Sequence, residues 1–569
     1  MKRIKYGIPV CALVLLCALT ALAQPRQEVP VVTPEDAIAG ELEHTLRSLT
    51  LVSGEKPVNL ALLLTFYQQR NYRPVWSSVG GISPAAQRWL SSLGRVEQEG
   101  MSDLLMHRAE IQQRLDADGP MELAELDLML TDSFFQYTRK MGQGQLDSSL
   151  ADPDWHIPQP EIKPAVLLEK IVQSGHFNDA VGALLPGHTE YRKLREALIR
   201  YLDIRKSGGW PELQRSGRKL EPGDASEDIQ KLRQQLWMVG DLAQDDVPGY
   251  VYDAVLERAV IRFQQRHGLL GDGVIGKRTR AALAVPVDQR IEQIRLNLER
   301  WRWLPRDLGP RYITVNTAAF ELQVHDQDTV PLSMRVIVGK KQHPTPVFTE
   351  KMSYLIVNPY WHVPTRVAIR DLIPKQLSDT DFFQSRSIRV LSSWQPGAVE
   401  VDPDQVDWQA YLNGRYFPYK LRQDPGPGNA LGRIKFMLPN RFSIYLHDTP
   451  GQHLFNKPVR TFSAGCVRVE KPMALANYVL GMKPPSAQAR LEALIAEQEK
   501  RTIALPDPIA VYMLYQTAWV DEGGTLQFRN DIYGHDRRLA AALRSAIAPG
   551  RGDTYAGNLS VKAPPGFLQ

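Results

Sequence analysis

Ile444 to Val469 reads IYLHDTPGQHLFNKPVRTFSAGCVRV. A strand-like apolar alternation through Ile444 and Leu446 ends on His447. Cys466 follows nineteen residues later in a turn of small residues, Ser463-Ala464-Gly465-Cys466, with Arg468 just behind it. A thiol becomes an effective nucleophile when a base takes its proton and a positive field favours the thiolate. Both ingredients lie close together here, so the rest of the chain is read outward from this pair.

The N-terminus supplies the context for that thiol. Lys2, Arg3 and Lys5 precede an apolar run from Ile8 to Leu22, and Ala21-Leu22-Ala23 fits an A-x-A cleavage site, which predicts a signal peptide over residues 1–23. A retained signal anchor is the alternative; a lipoprotein at Cys17 is not favoured, because bulky Leu16 precedes it. The segment holds three cations and no acid, so its removal takes the formal charge from +5 to +2. The remaining charge gives no case for nucleic-acid binding. Cys11 and Cys17 also leave, so Cys466 is the one cysteine of three in the exported chain, and no intramolecular disulfide can form. A lone thiol in an oxidising compartment is a liability unless it is buried or reactive. Gly465 and Arg468 beside it favour the reactive reading over a packing role.

At 569 residues, 43% hydrophobic and 23% charged, the chain has room for several folded domains. The periodicities predict an α+β multidomain protein. Residues 36–205 read as a helical scaffold domain, with the aromatic segment Phe66 to Trp76 as core. A Gly-, Pro- and charge-rich linker follows, then a three-helix unit over 226–286 carrying Ile229, Leu232 and Leu236 and later Val255, Ala259, Val260 and Phe263. Its Gly271-Asp272-Gly273-Val274-Ile275-Gly276 run lacks the Lys-Ser/Thr of a phosphate-binding loop and follows no strand, so it reads as a turn between helices. Arg290 to Leu304 is a further helix with an aromatic packing end. From Tyr312 the period becomes that of short β-strands, expected to form a sandwich or open barrel over 310–484. This domain is interrupted by a lid insertion over 365–432 that starts helical and continues as aromatic, proline-rich loop. Residues 485–569 are expected to supply a helix and a β-hairpin around Glu522-Gly523-Gly524 that pack on the scaffold. No run after the N-terminus reaches eighteen apolar residues.

Two sets of motifs carry resemblances. Residues 228–284, with I-x-x-L-R, A-V-x-x-F-Q-x-x-H-G-L and D-G-x-I-G-x-x-T, resemble the three-helix peptidoglycan-binding domain. Residues 312–482 resemble the catalytic domain of L,D-transpeptidases. The matching residues are His447, Ser463-x-Gly465-Cys466-Val467-Arg468, Val338-Gly339-Lys340 with Pro344-Thr345-Pro346, and Asn358-Pro359-x-Trp361-x-Val363-Pro364. The layout is similar to the large periplasmic members of Gram-negative bacteria. One departure is Ala464, where the family commonly has a histidine.

The resemblance implies a cysteine acyltransferase acting on peptidoglycan stem peptides and making 3→3 cross-links. Cys466 would be the nucleophile and His447 the base. Backbone N–H groups around Gly465-Cys466 would receive the oxyanion, with the Tyr445 hydroxyl as helper. The Asp448 carbonyl would orient the imidazole, and Arg468, Trp361 and Ser463 would contact substrate. It also implies acylation by β-lactams of the carbapenem type and partnership with glycan and other wall-synthesis enzymes. The mechanism needs no cofactor. His447-x5-His453 lacks a zincin glutamate and a third ligand, so no metal is assigned. Two alternatives stay open: an L,D-endo- or carboxypeptidase using water as acceptor, and a non-catalytic peptidoglycan-binding scaffold with an inert Cys466.

Overall fold

A computed structural model describes residues 33–51, 59–78, 80–101, 108–213, 217–481 and 486–547. The signal-peptide reading falls on residues 1–23, outside this set.

The β period that begins near Tyr312 builds a nine-stranded mixed sheet. Its strands are β1 (Arg311–Asn316), β2 (Glu321–Asp326), β3 (Thr329–Gly339), β4 (Phe348–Val357), β5 (Ile434–Met437), β6 (Leu446–His447), β7 (Thr461–Ser463), β8 (Val467–Val469) and β9 (Arg501–Leu514). They lie in the order β7-β3-β8-β6-β5-β4-β9-β1-β2, and β2 pairs again with β3. The first half of β3 takes β2, from Asp326↔Thr329 to Glu321↔Arg335, and its second half takes β8 and β7. One long strand thus serves both ends of the sheet, which closes it and leaves few unpaired edges. The expected open barrel is closed.

β9 corrects the expected domain limit at residue 484. It pairs antiparallel with β4 and parallel with β1, in the middle of the sheet. Ile509, Val511 and Met513 alternate into the core, a period-2 pattern that only a sheet position satisfies. The strands flanking Glu522-Gly523-Gly524 are Ala518–Val520 and Leu526–Phe528. Their Ala518, Leu526 and Phe528 join one core with Tyr191, Leu194 and Leu198 of helix Thr189–Lys206.

The lid insertion departs further from expectation. It is a subdomain in which Trp361–His362, Lys420–Gln423, Ile388–Leu391 and Glu400–Val401 form a four-stranded sheet over its own core of Leu372, Phe383, Val390, Trp408, Phe417 and Leu421. The aromatic residues that suggested a loop are that core: Trp408 meets Phe383 edge-on at 5.2 Å.

The helical parts form around separate cores. The N-terminal scaffold is centred on the helix Pro120–Gln143, whose Phe134 and Phe135 are buried, with Trp76 and Trp89 packed against Phe134. In the small three-helix unit Gln264 fixes the glycine turn: its Nε2 donates to Asp272 and to the Val274 carbonyl at 2.9 Å each, and its Oε1 accepts from Gly273 N–H. A connector helix, Val287–Arg302, runs from that unit into the sheet and is buried along much of its length. Its polar residues are paired across domains: Arg300 with Asp536 at 2.6 Å, Asn297 with Thr517, and Glu299 with the Gln145 backbone of the scaffold.

Candidate active site

The sheet register assembles the site. Ile337, Arg468, His447, Lys435, Ile356 and Thr502 are successive partners across β3, β8, β6, β5, β4 and β9. Partners in a sheet share a face. The adjoining row, Val467, Leu446, Phe436 and Leu355, is wholly buried on the opposite face. Alternation therefore sends Arg468, His447 and Lys435 together onto the site face.

Because β6 and β8 are parallel, one step back from Leu446↔Val467 sets Cys466 opposite Tyr445, and Val467 N–H donates to the Tyr445 carbonyl at 3.1 Å. Cys466 thus lies diagonally across the two strands from His447, a placement that sets Cα atoms about 7–8 Å apart. The two tyrosine and histidine rings are 5.7 Å apart, and Lys435 Nζ sits 3.7 Å from the Tyr445 ring centre. Cys466 is partly exposed, with Sγ 3.8 Å from the Ser443 carbonyl.

His447 is buried and its tautomer is fixed. Nδ1 lies 2.5 Å from the Asp448 carbonyl, an acceptor only, so Nδ1 carries the proton and Nε2 keeps its lone pair. The Asp448 carboxylate instead accepts from the amides of Arg433 at 2.9 Å and Thr449 at 2.7 Å.

The nucleophile turn is braced from both sides. Gly465 has φ +120°, a left-handed conformation that glycine alone adopts without strain. Ser463 Oγ donates to the Cys466 carbonyl at 2.5 Å and accepts from Gly465 N–H at 3.1 Å. Thr345 Oγ1 donates to the Gly465 carbonyl at 2.7 Å and accepts from Gly339 N–H at 3.0 Å. The Tyr533 hydroxyl donates to the Gly339 carbonyl at 2.6 Å.

These contacts bear on three expectations. Ser463 is buried and braces the turn, so it presents no group to a substrate. The Gly465 amide is engaged by Ser463, whereas the Cys466 amide has no partner among the described residues. Trp361 lies on a lid strand, opposite Gln423, and packs half-buried against the lid core.

Burial governs the protonation states. Desolvation, then the Arg468 charge, push His447 down to about 3, against the favourable carbonyls of Asp448 and Leu431. Desolvation raises the Cys466 thiol, while the Tyr445 backbone and hydroxyl, Lys435 and Arg468 all favour its thiolate. Burial raises Tyr445 strongly, so its hydroxyl stays a donor. Lys435 and Arg468 are each lowered by burial and steadied by the Cys466 charge. The resting site therefore holds a neutral thiol and a neutral imidazole inside a ring of donors and cations that stabilise the thiolate once it forms.

Residues 310–502 match the model of the L,D-transpeptidase catalytic domain. The chain carries an L,D-transpeptidase domain. Residues 225–283 match the "Putative peptidoglycan binding domain" and residues 61–198 a scaffold domain. A protein of Haemophilus influenzae named "Putative L,D-transpeptidase" is 36% identical over 251 residues, which cover 44% of this chain and 49% of that protein. The chain thus spans about half the length of that curated relative. Among solved structures, an L,D-transpeptidase from Mycobacterium smegmatis aligns at 13% identity and TM-score 0.17, over 36% of this chain and 58% of that one. The L,D-transpeptidase from Xylanimonas cellulosilytica aligns at 14% identity and TM-score 0.15, over 52% of this chain and 98% of that one.

Two residues of this candidate site escaped the sequence reading. Thr345 stood within the quoted Pro344-Thr345-Pro346 motif, but its link to Gly465 spans 120 positions. Lys435 opens a strand like many surface lysines, and only the register of three strands places it beside His447.

Proposed function

We propose that the chain is an L,D-transpeptidase joining peptidoglycan stem peptides by 3→3 cross-links through a thioester on Cys466. The observation that supports this most is the placement of His447 on β6 and Cys466 in the turn entering the adjacent parallel strand β8, with Nδ1 of the imidazole held by the Asp448 carbonyl. Cys466 Sγ attacks the carbonyl of the L-centre of diaminopimelate in a donor tetrapeptide, and His447 Nε2 takes the thiol proton. Collapse of the tetrahedral intermediate breaks the bond to D-Ala, whose amine leaves with that proton. The side-chain amine of a second stem then attacks the thioester, restoring the thiol and forming the cross-link. Peptide-bond energy is kept in the thioester, so no nucleotide is consumed, which suits an exported enzyme in the periplasm.

The unpartnered Cys466 amide and the Tyr445 hydroxyl are the oxyanion donors in this reading. Arg468, whose Nε is buried without a partner, receives a substrate carboxylate. The three-helix domain holds the wall polymer near the site, and the lid excludes water from the thioester. Carbapenems acylate the same sulfur. Incubation with tetrapeptide muropeptide dimers, followed by muropeptide analysis, tests the reading. Transpeptidation gives 3→3 linked products and free D-Ala; trimmed monomers alone assign the chain to hydrolysis, and unchanged substrate leaves only a wall-binding scaffold.

A further inference from the structure

The row Arg468–His447–Lys435 places one cation on each side of the imidazole, on successive strands. Neither cation has an acidic partner among the described residues. Asp448, next to His447 in the chain, is engaged by the Arg433 and Thr449 amides. Lys435 Nζ rests over the Tyr445 ring, which fixes the ammonium beside the thiol without neutralising it. The positive field extends to the lid. His362 is held down to about 4 by burial and by the charges of Lys420, Lys435, Arg422 and Lys500. Uncompensated, partly desolvated cations of this kind are costly unless a ligand supplies the counter-charge.

We infer that Lys435 is a second carboxylate-binding residue, so that the site takes a peptide carrying anionic groups on both flanks of the reacting carbonyl. Two strand spacings, about 10 Å, separate Lys435 from Arg468 in the sheet, and both cations act on the Cys466 sulfur, so a carbonyl held over that sulfur has a cation to each side. A stem peptide with a free terminal carboxylate on one side and a further free carboxylate on the other has this character. The inference rests on the transpeptidase reading and adds a specificity determinant to it. The lysine would discriminate fully anionic stems from amidated ones.

The test uses the full chain and synthetic tetrapeptide stems, fully anionic or amidated at a single carboxylate, with D-Ala release as readout and KM and kcat separated. Lys435→Gln should raise KM for the fully anionic stem by about tenfold. For one singly amidated stem the same substitution should change KM by less than about twofold, since the partner charge is already gone. A different amidated stem should cancel the effect of Arg468→Gln. Lys435→Arg should restore KM, and iodoacetamide labelling of Cys466 checks that the thiol remains reactive in each variant. Equal losses from Lys435→Gln on every stem, or a loss in kcat alone, would overturn the inference by leaving the lysine as a thiolate stabiliser only. No D-Ala release from any stem by the unsubstituted enzyme refutes the transpeptidase reading itself, a result distinct from the loss of stem discrimination.

Discussion

At the scale of single residues, the site is defined by what burial does to two titratable groups. His447 is neutral down to about 3 and the Cys466 thiol is raised, so the free enzyme does not store a thiolate–imidazolium pair. Iodoacetamide labelling of Cys466 should therefore rise steadily through a pKa above the ordinary thiol range. A pH-independent plateau from acid to neutral, the mark of a pre-formed ion pair, would contradict this. The same burial has a stability consequence. The unfolded chain binds a proton at His447 as pH falls below 6.5, whereas the folded chain does not until about 3, so stability drops as pH falls through that window. His447→Gln should flatten that part of the stability-against-pH curve in denaturant titrations, and an unchanged slope would show that the imidazole is not buried neutral. The sequence disclosed which residue types stood near the thiol, because small residues and a cation next to Cys466 are local features. It did not disclose that Ser463 turns inward, since a hydroxyl in a tight turn reads the same whether it faces its own backbone or a substrate.

Among elements, the decisive object is the turn before β8, held through Thr345 to the end of β3. Thr345 joins the Gly339 amide to the Gly465 carbonyl, so its hydroxyl fixes the height of Cys466 over the sheet. Thr345→Val keeps the shape and leaves both backbone groups buried and unpaired, which should cost about 1–3 kcal/mol in urea unfolding. D-Ala release should fall with it, and a variant with unchanged stability would place the hydroxyl outside the brace. Strand existence was legible for most of the sheet because alternation and turn residues are short-range signals. Pairing was not legible. β6 and β8 are parallel neighbours although β7 lies between them in the chain, and β9 enters mid-sheet from beyond the expected boundary. The lid was misread for a related reason: its aromatic residues sit in short, irregular elements, and only their mutual packing reveals a core.

For the molecule as a whole, the connector helix ties the parts together. Arg300 on that helix pairs with Asp536 of the C-terminal helix His535–Ile547, and nearby Arg538 pairs with Asp152 and Asp154 before the catalytic domain begins. Buried pairs of this kind are strongly destabilising to break from one side, so Arg300→Met should lower stability by about 3–5 kcal/mol. A shift in thermal unfolding too small for that range would mean Asp536 finds another partner. Among the described residues no helix is long and apolar enough to cross a membrane. The modular layout was visible in the linker and the period change, whereas the fusion of helix Thr189–Lys206, connector and sheet into one core was not, because contacts such as Tyr191 to Arg302 span distant segments. The central claim is that Cys466 is the sulfur that carries the acyl group, and intact-mass analysis with a carbapenem tests it most directly. One adduct should appear, confined to the peptide bearing Cys466 and absent from Cys466→Ala. No adduct on the unsubstituted chain, or an adduct that survives in Cys466→Ala, would contradict the account.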